Sequence, residues 1–168
     1  MLLTQWDGSL PDTVAIVNLL KSVKNPIITV AIGACVSAAA MIFSCGQHRY
    51  IGEDIEYMIH QPYTPGNICN LNHAITTDLQ AVYKKDLSIY IRHITSNGAS
   101  IPAEKLEKVT KDGKDLYLTT SECKKYNIAT HIFKSFNTLY KNEKISKEER
   151  IISYDLLDDG NDTIEEGE

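Results

Sequence analysis

Residues 27–40 read Ile27-Ile28-Thr29-Val30-Ala31-Ile32-Gly33-Ala34-Cys35-Val36-Ser37-Ala38-Ala39-Ala40, a β-branched run that gives way after a glycine to small residues. The first half is apolar at nearly every position, which suits a strand covered on both faces, as in a parallel sheet. That strand is expected over residues 27–32, ending at Gly33. The alanines, with Met41, Ile42 and Phe43, predict a helix over residues 34–45 packed tightly on the sheet and stopped by Gly46. Ser37 would then lie in the helix's first turn.

Upstream, Val14, Ile16, Val17, Leu19, Leu20 and Val23 recur at helical spacing, so a helix is expected over residues 10–24, closed by Asn25-Pro26. Downstream, Tyr50-Ile51 and residues 55–60 are strand-like, split by Gly52-Glu53-Asp54, and residues 61–66 are punctuated as a loop. Apolar residues at threes and fours over 71–95 predict one long amphipathic helix, longer than a small core can cover. A short helix over 102–110 and an apolar stretch over 116–118 follow. Thr119 and Glu122 have the spacing of a capping box, opening a short helix to Tyr126 that Asn127 closes in a left-handed conformation. Residues 128–133 resume as a strand or edge segment. Strands alternating with helices predict an α/β architecture with a mostly parallel sheet.

The chain has 168 residues, 43% of them hydrophobic, enough for one domain with a real core. That domain is expected over residues 1–140, followed by a charged tail over 141–168. Residues 155–168 carry seven acids and no base, a composition expected to be disordered. A net charge of −5 offers no basic stripe to a phosphate backbone and argues against nucleic acid as a partner. Cys35, Cys45, Cys69 and Cys123 form no C-x-x-C pair and read as reduced thiols without a zinc site. No apolar run is long enough to span a membrane, and the N-terminus has no signal-peptide pattern, so a cytoplasmic protein is expected.

A serine hydroxyl becomes a useful nucleophile only with a base in hydrogen-bond reach and a third group orienting that base. Ser37, at a strand-to-helix junction, meets the unpaired amides and positive dipole end of a helix, which suit a developing oxyanion. The Ala38 amide is the natural first donor. His60 closes the next strand, and Pro62 restricts the chain behind it. Asp112 and Asp115 both lie in the turn before Leu116; Asp115 directly precedes the apolar stretch and is preferred as the orienting acid. Each residue alone fits a plainer reading, Ser37 as a cap or small packing residue and His60 as a structural histidine.

The segment Ile32-Gly33-Ala34-Cys35-Val36-Ser37-Ala38-Ala39-Ala40, the run Tyr57-Met58-Ile59-His60-Gln61-Pro62, and Lys114-Asp115-Leu116-Tyr117-Leu118-Thr119-Thr120-Ser121-Glu122 with Tyr126-Asn127-Ile128 resemble the proteolytic subunit of Clp protease. Order and spacing agree over roughly residues 3–133, and Met-Ile-His-Gln-Pro is the most specific piece. The resemblance implies a serine endopeptidase with Ser37 as nucleophile, His60 as general base and Asp115 as the orienting acid, with no metal or organic cofactor. It implies that Gly8, in Asp7-Gly8-Ser9, and Ala38 supply the oxyanion-hole amides. It also implies that the long helix is the family's handle, interlocking two stacked seven-membered rings. Unfolded polypeptides would be the substrates, an ATPase unfoldase the partner, and the cytoplasm or plastid stroma the setting.

Departures from the family pattern accompany the likeness. Ala38 and Ala39 stand for the usual Met-Gly, which keeps the amide and changes the pocket wall. Asp7 stands for the first glycine of the oxyanion turn, and a lost donor there costs on the order of 3 kcal/mol in the transition state. The family's axial loop, first strands and first helix have no counterpart, so the expectation is an N-terminally truncated, divergent member with an open sheet edge. Two other readings stand beside the peptidase: a weak or inactive structural subunit of a mixed ring, and a crotonase-like site that stabilises an acyl-CoA enolate.

Overall fold

In the computed structural model, residues 2–5, 8–62 and 73–145 are described. Asp7, Cys69, the loop beyond Pro62, the expected helix start at 71 and the acidic tail lie outside the described residues. The chain divides into two compact units, Met1–Phe133 and Lys134–Glu168. The boundary expected after residue 140 falls inside a helix of the second unit, α6 (Phe136–Asn142), opened by the Ser135 hydroxyl accepting from the Thr138 amide.

The first unit is a six-stranded, mostly parallel sheet with helices. Its elements run β1 (Leu2–Gln5), α1 (Leu10–Ser22), β2 (Ile28–Val36), α2 (Ala38–Phe43), β3 (His48–Ile51), β4 (Glu56–Ile59), α3 (His73–Ile94), a 3-10 turn (Ser96–Gly98), α4 (Ala103–Thr110), β5 (Leu116–Leu118), α5 (Thr120–Lys125) and β6 (His131–Ile132). The strand order is β5-β4-β2-β3-β6, with β1 also paired to β2; only β4 and β5 run antiparallel.

β2 does not stop at Gly33. Its first half pairs with β3, from Ile28 opposite His48 to Ala31 opposite Ile51. Its second half pairs with β4, Cys35 opposite Tyr57 and Val36 opposite Met58. Gly33 sits at the changeover with φ 96°, a conformation that a side chain would strain, so the glycine redirects the strand where the sequence suggested an end. α2 is correspondingly shorter than expected, and all six of its residues are buried. A helix apolar on every side belongs inside, and its small alanines permit close approach to the sheet. β1 was not legible in so short a segment; it lies parallel along β2.

The α2 C-terminus and the β3 start are tied together by Arg49, 2% exposed. Its guanidinium donates to the carbonyls of Gly46 (2.8 Å), Ile128 (2.7 Å), Asn127 (2.9 Å) and Asn97 (3.3 Å). One side chain thus ties together carbonyls from three loops. At the other end of the unit, α5 carries the expected capping box: the Glu122 amide donates to the Thr119 hydroxyl, and the Thr119 amide donates to the Glu122 carboxylate. Asn127 follows with φ 53°, as expected of a left-handed closing residue. α3 is described from His73 to Ile94, and among its residues of described burial Tyr90, His93 and Ile94, near the C-terminal end, are buried, while Val82 is 54% exposed.

Arg49→Lys is expected to destabilise the protein by about 2–4 kcal/mol in urea unfolding, because three ammonium donors cannot reach four carbonyls fixed by a planar fork. Unchanged stability would show that water replaces the guanidinium. Glu122 gives a pH signature. The Thr119 amide and then Lys105, 2.9 Å away, lower its carboxyl to about 2. Because the folded value lies below the unfolded one, its contribution is complete above about pH 4.5 and disappears as pH falls toward 2. The stability difference between wild type and Glu122→Gln should therefore shrink over that window; a difference constant with pH would refute the capping role.

Candidate functional site

The pairing of β2 with β4 decides where chemistry can occur. The ladder's last rung joins Val36 to Met58, and just beyond it the Ser37 amide donates to the Met58 carbonyl at 2.9 Å. Two residues past Met58, His60 emerges at the same end of the sheet. Its Nε2 lies 2.7 Å from the Ser37 hydroxyl oxygen. In open α/β sheets, such carboxyl ends of adjacent parallel strands are where ligands bind.

Ser37 is not in the first turn of α2; it is the residue before it. Its φ is 56° and ψ −116°, a left-handed conformation that a non-glycine residue holds at a cost of about 1–3 kcal/mol. The strain turns the chain sharply from strand to helix and leaves the hydroxyl toward His60. No serine-side-chain cap bond forms, so Ser37 is not the capping serine of the plainer reading. The sequence signal for such a turn, a serine between a strand and an alanine helix, was present; its backbone strain was not readable.

The Ala38 amide is the first of α2 and takes no acceptor among the described residues. Gly8 faces it. A methyl group built on Gly8 would stand 3.0 Å from the Ala38 Cβ, so the two segments meet at one corner. The start of α1 anchors that corner: Ser9 is its N-cap, and the Thr13 hydroxyl donates to the Ser9 carbonyl at 2.7 Å.

β5 brings the acid. Antiparallel pairing sets Tyr57 against Leu118, Met58 against Tyr117 and Ile59 against Leu116. The ladder ends at Ile59 and Leu116, and the next residues beyond it are His60 on one chain segment and Asp115 on the other. Asp115 is exposed, and no hydrogen bond between it and His60 is present in this geometry. Asp112 lies three residues further from the ladder, in the turn, and is likewise exposed.

Two nearby features escaped the sequence reading. Cys35, two residues before Ser37, is fully buried, and burial pushes its thiol well above the ordinary value. Cys123 is pushed up to about 12 by burial and then by Glu122. Thiols held neutral in this way do not compete as nucleophiles. The second is Tyr90 of α3, 3% exposed, whose hydroxyl donates to the Ser37 carbonyl at 3.3 Å. Periodicity counted Tyr90 as part of an apolar stripe and could not see its hydroxyl's partner.

The sequence profile of the family described as Clp protease matches residues 2–136. The chain is 27% identical over 140 residues to ATP-dependent Clp protease proteolytic subunit 2 of Borreliella burgdorferi, covering 82% of this chain and 66% of that protein. It is 27% identical to subunit 2 of Tropheryma whipplei, over 74% of this chain and 67% of the relative. It is 29% identical to the chloroplastic proteolytic subunit 4 of Arabidopsis thaliana, over 72% and 40% respectively. The matched part thus spans about two thirds or less of these relatives' length.

The strain at Ser37 gives a stability test. Ser37→Gly relieves the left-handed backbone, whereas Ser37→Ala keeps it. Allowing for the extra chain entropy of glycine, Ser37→Gly should be more stable than Ser37→Ala by about 1 kcal/mol in thermal or urea unfolding. The reverse order would show that Ser37 is unstrained in solution.

Proposed function

Since the chain belongs to the Clp protease family, we propose that it is a serine endopeptidase subunit that hydrolyses peptide bonds through an acyl-enzyme. The observation that carries the reading is the 2.7 Å contact between the Ser37 hydroxyl and His60 Nε2 at a strained strand-to-helix turn. Ser37 Oγ attacks the substrate carbonyl carbon while His60 Nε2 takes the hydroxyl proton. The oxygen, now negative, is held by the amides of Ala38 and Gly8. As the tetrahedral species collapses, the carbon–nitrogen bond breaks and His60 returns the proton to the leaving amine. Water, deprotonated by His60, then attacks the ester and releases Ser37.

Asp115 is the orienting acid in this reading. Its place next to the end of the β4–β5 ladder, where His60 also leaves it, favours it over Asp112, three residues further along the turn. A side-chain rotation that turns the carboxylate toward the imidazole Nδ1 completes the arrangement, fixing the tautomer that leaves Nε2 free to accept a proton. The reaction needs no metal or organic cofactor.

The same reading extends to assembly. Ile16, Leu19 and Val23 are 40%, 67% and 46% exposed at spacings of three and four along α1, and Val82 on α3 is exposed too. Apolar residues in such rows favour burial against other subunits. Rings of this chain or of mixed subunits, with α3 as the interlocking handle, would enclose the site, and an ATPase unfoldase would deliver unfolded polypeptide. Among the described residues no helix is long and apolar enough to cross a membrane.

Treatment of the purified chain with a fluorophosphonate probe should label Ser37, located by peptide mass mapping. Ser37→Ala and His60→Gln should abolish the label. Asp115→Asn should slow it by about a hundredfold or more, while Asp112→Asn leaves it near wild type. A folded wild-type chain that takes no label would sink the peptidase reading in favour of a structural subunit.

A further inference from the structure

We propose that Tyr90 is a positioning residue for Ser37: its hydroxyl, carried by α3, holds the Ser37 carbonyl and with it the strained turn that aims the serine at His60. The inference rests on the reading of Ser37 as nucleophile and adds to it a residue from an element that contributes nothing else to the reacting groups.

A left-handed serine persists only where its surroundings over-determine it. Around Ser37 every polar atom is engaged. The amide donates to Met58 on β4, the hydroxyl contacts His60 after β4, and the carbonyl accepts from the amides of Ala40 (3.1 Å) and Met41 (3.3 Å) of α2. The Tyr90 hydroxyl, at 3.3 Å, is the one side chain that bonds the Ser37 backbone among the described residues. The other bonds to that backbone come from the two elements that the turn itself joins or adjoins. Tyr90 is the tie from outside them.

The surroundings make that tie count. Tyr90 is 3% exposed, and His93 and Ile94, three and four residues on, share its buried face. Buried Cys35, Tyr57 and Cys123 lie beneath the turn, a floor with little water to replace a lost hydrogen bond. α3 packs on α2 as well, so Tyr90 enters from a helix already seated on the element that follows the serine.

Tyr90→Phe removes the hydroxyl and keeps the ring. The expected result is a three- to tenfold lower rate constant for fluorophosphonate labelling of Ser37, the size of effect of one buried hydrogen bond. For a cleavable peptide, kcat should fall by a similar factor with KM unchanged. Native-state hydrogen exchange at the amides of residues 38–41 should accelerate in parallel. Ile94→Val, a small cavity on the same helix face, serves as the control: it should lower the melting temperature while leaving labelling and those amides as in wild type. Tyr90→Phe with wild-type labelling overturns the proposal, whether or not its melting temperature moves. Should wild type itself take no label, the peptidase reading fails, and hydrogen exchange still decides whether Tyr90 holds the turn: unaltered exchange at residues 38–41 in Tyr90→Phe overturns it.

Discussion

The register of β2 against β4 is the constraint on which the rest depends. Parallel neighbours end at the same side of a sheet, so residues just past Val36 and just past Met58 become neighbours without any long-range loop having to find its way. Ser37 and His60 are 23 residues apart in the chain and 2.7 Å apart in space for that reason. A slip of one residue would turn the buried Tyr57 and Ile59 outward and His60 with them to the opposite face. Burial of Tyr57, at 1%, and Ile59, at 0%, makes such a slip costly. The core therefore enforces the geometry of the site, although neither Tyr57 nor Ile59 touches substrate in the proposed mechanism.

That enforcement also sustains strain. Gly33, within β2, and Ser37, just past its end, both hold positive φ, four residues apart. The glycine does so with little penalty and lets β2 change partners; the serine carries the cost because its hydroxyl is needed there in the proposed reaction. Closely packed α2, buried on all sides, and the ladder to β4 hold the serine from both directions.

Much of this was legible in the residues. The IITVAI run, the alanine helix, the capping box at Thr119 and Glu122, and left-handed Asn127 all follow from local chemistry that tertiary context did not overrule. The errors have a common cause. Glycine at 33 was read as punctuation because most strand-ending glycines are, yet here it serves a strand with two successive partners, which is a property of the sheet and not of the segment. Ser37 was assigned to a helix because its neighbours are helix formers; its backbone angle is set by the Met58 carbonyl and by packing from elsewhere. Tyr90 and Arg49 were opaque for the same reason. Their partners are carbonyl oxygens, which every residue has, so no pattern of side chains announces them. The proposed triad could be recognised through its motifs, whereas the network that supports it consists largely of backbone and could not.

This division bears on how a chain only 27–29% identical to its relatives could keep the proposed site. In the proposed mechanism the groups that stabilise the oxyanion are amides, and an amide survives replacement of the side chain beside it. Ala38 in place of the family's usual methionine leaves the donor where α2 begins and alters only the wall above it. Gly8 is different, because a side chain there would crowd the Ala38 Cβ, 3.0 Å from where its own Cβ would stand. The pressure on position 8 is thus steric and local, while the pressure on position 38 is to remain small enough for Gly8 to approach. A side chain at position 8 would therefore press on Ala38 and shift the Gly8 amide before it disturbed Ser37 or His60.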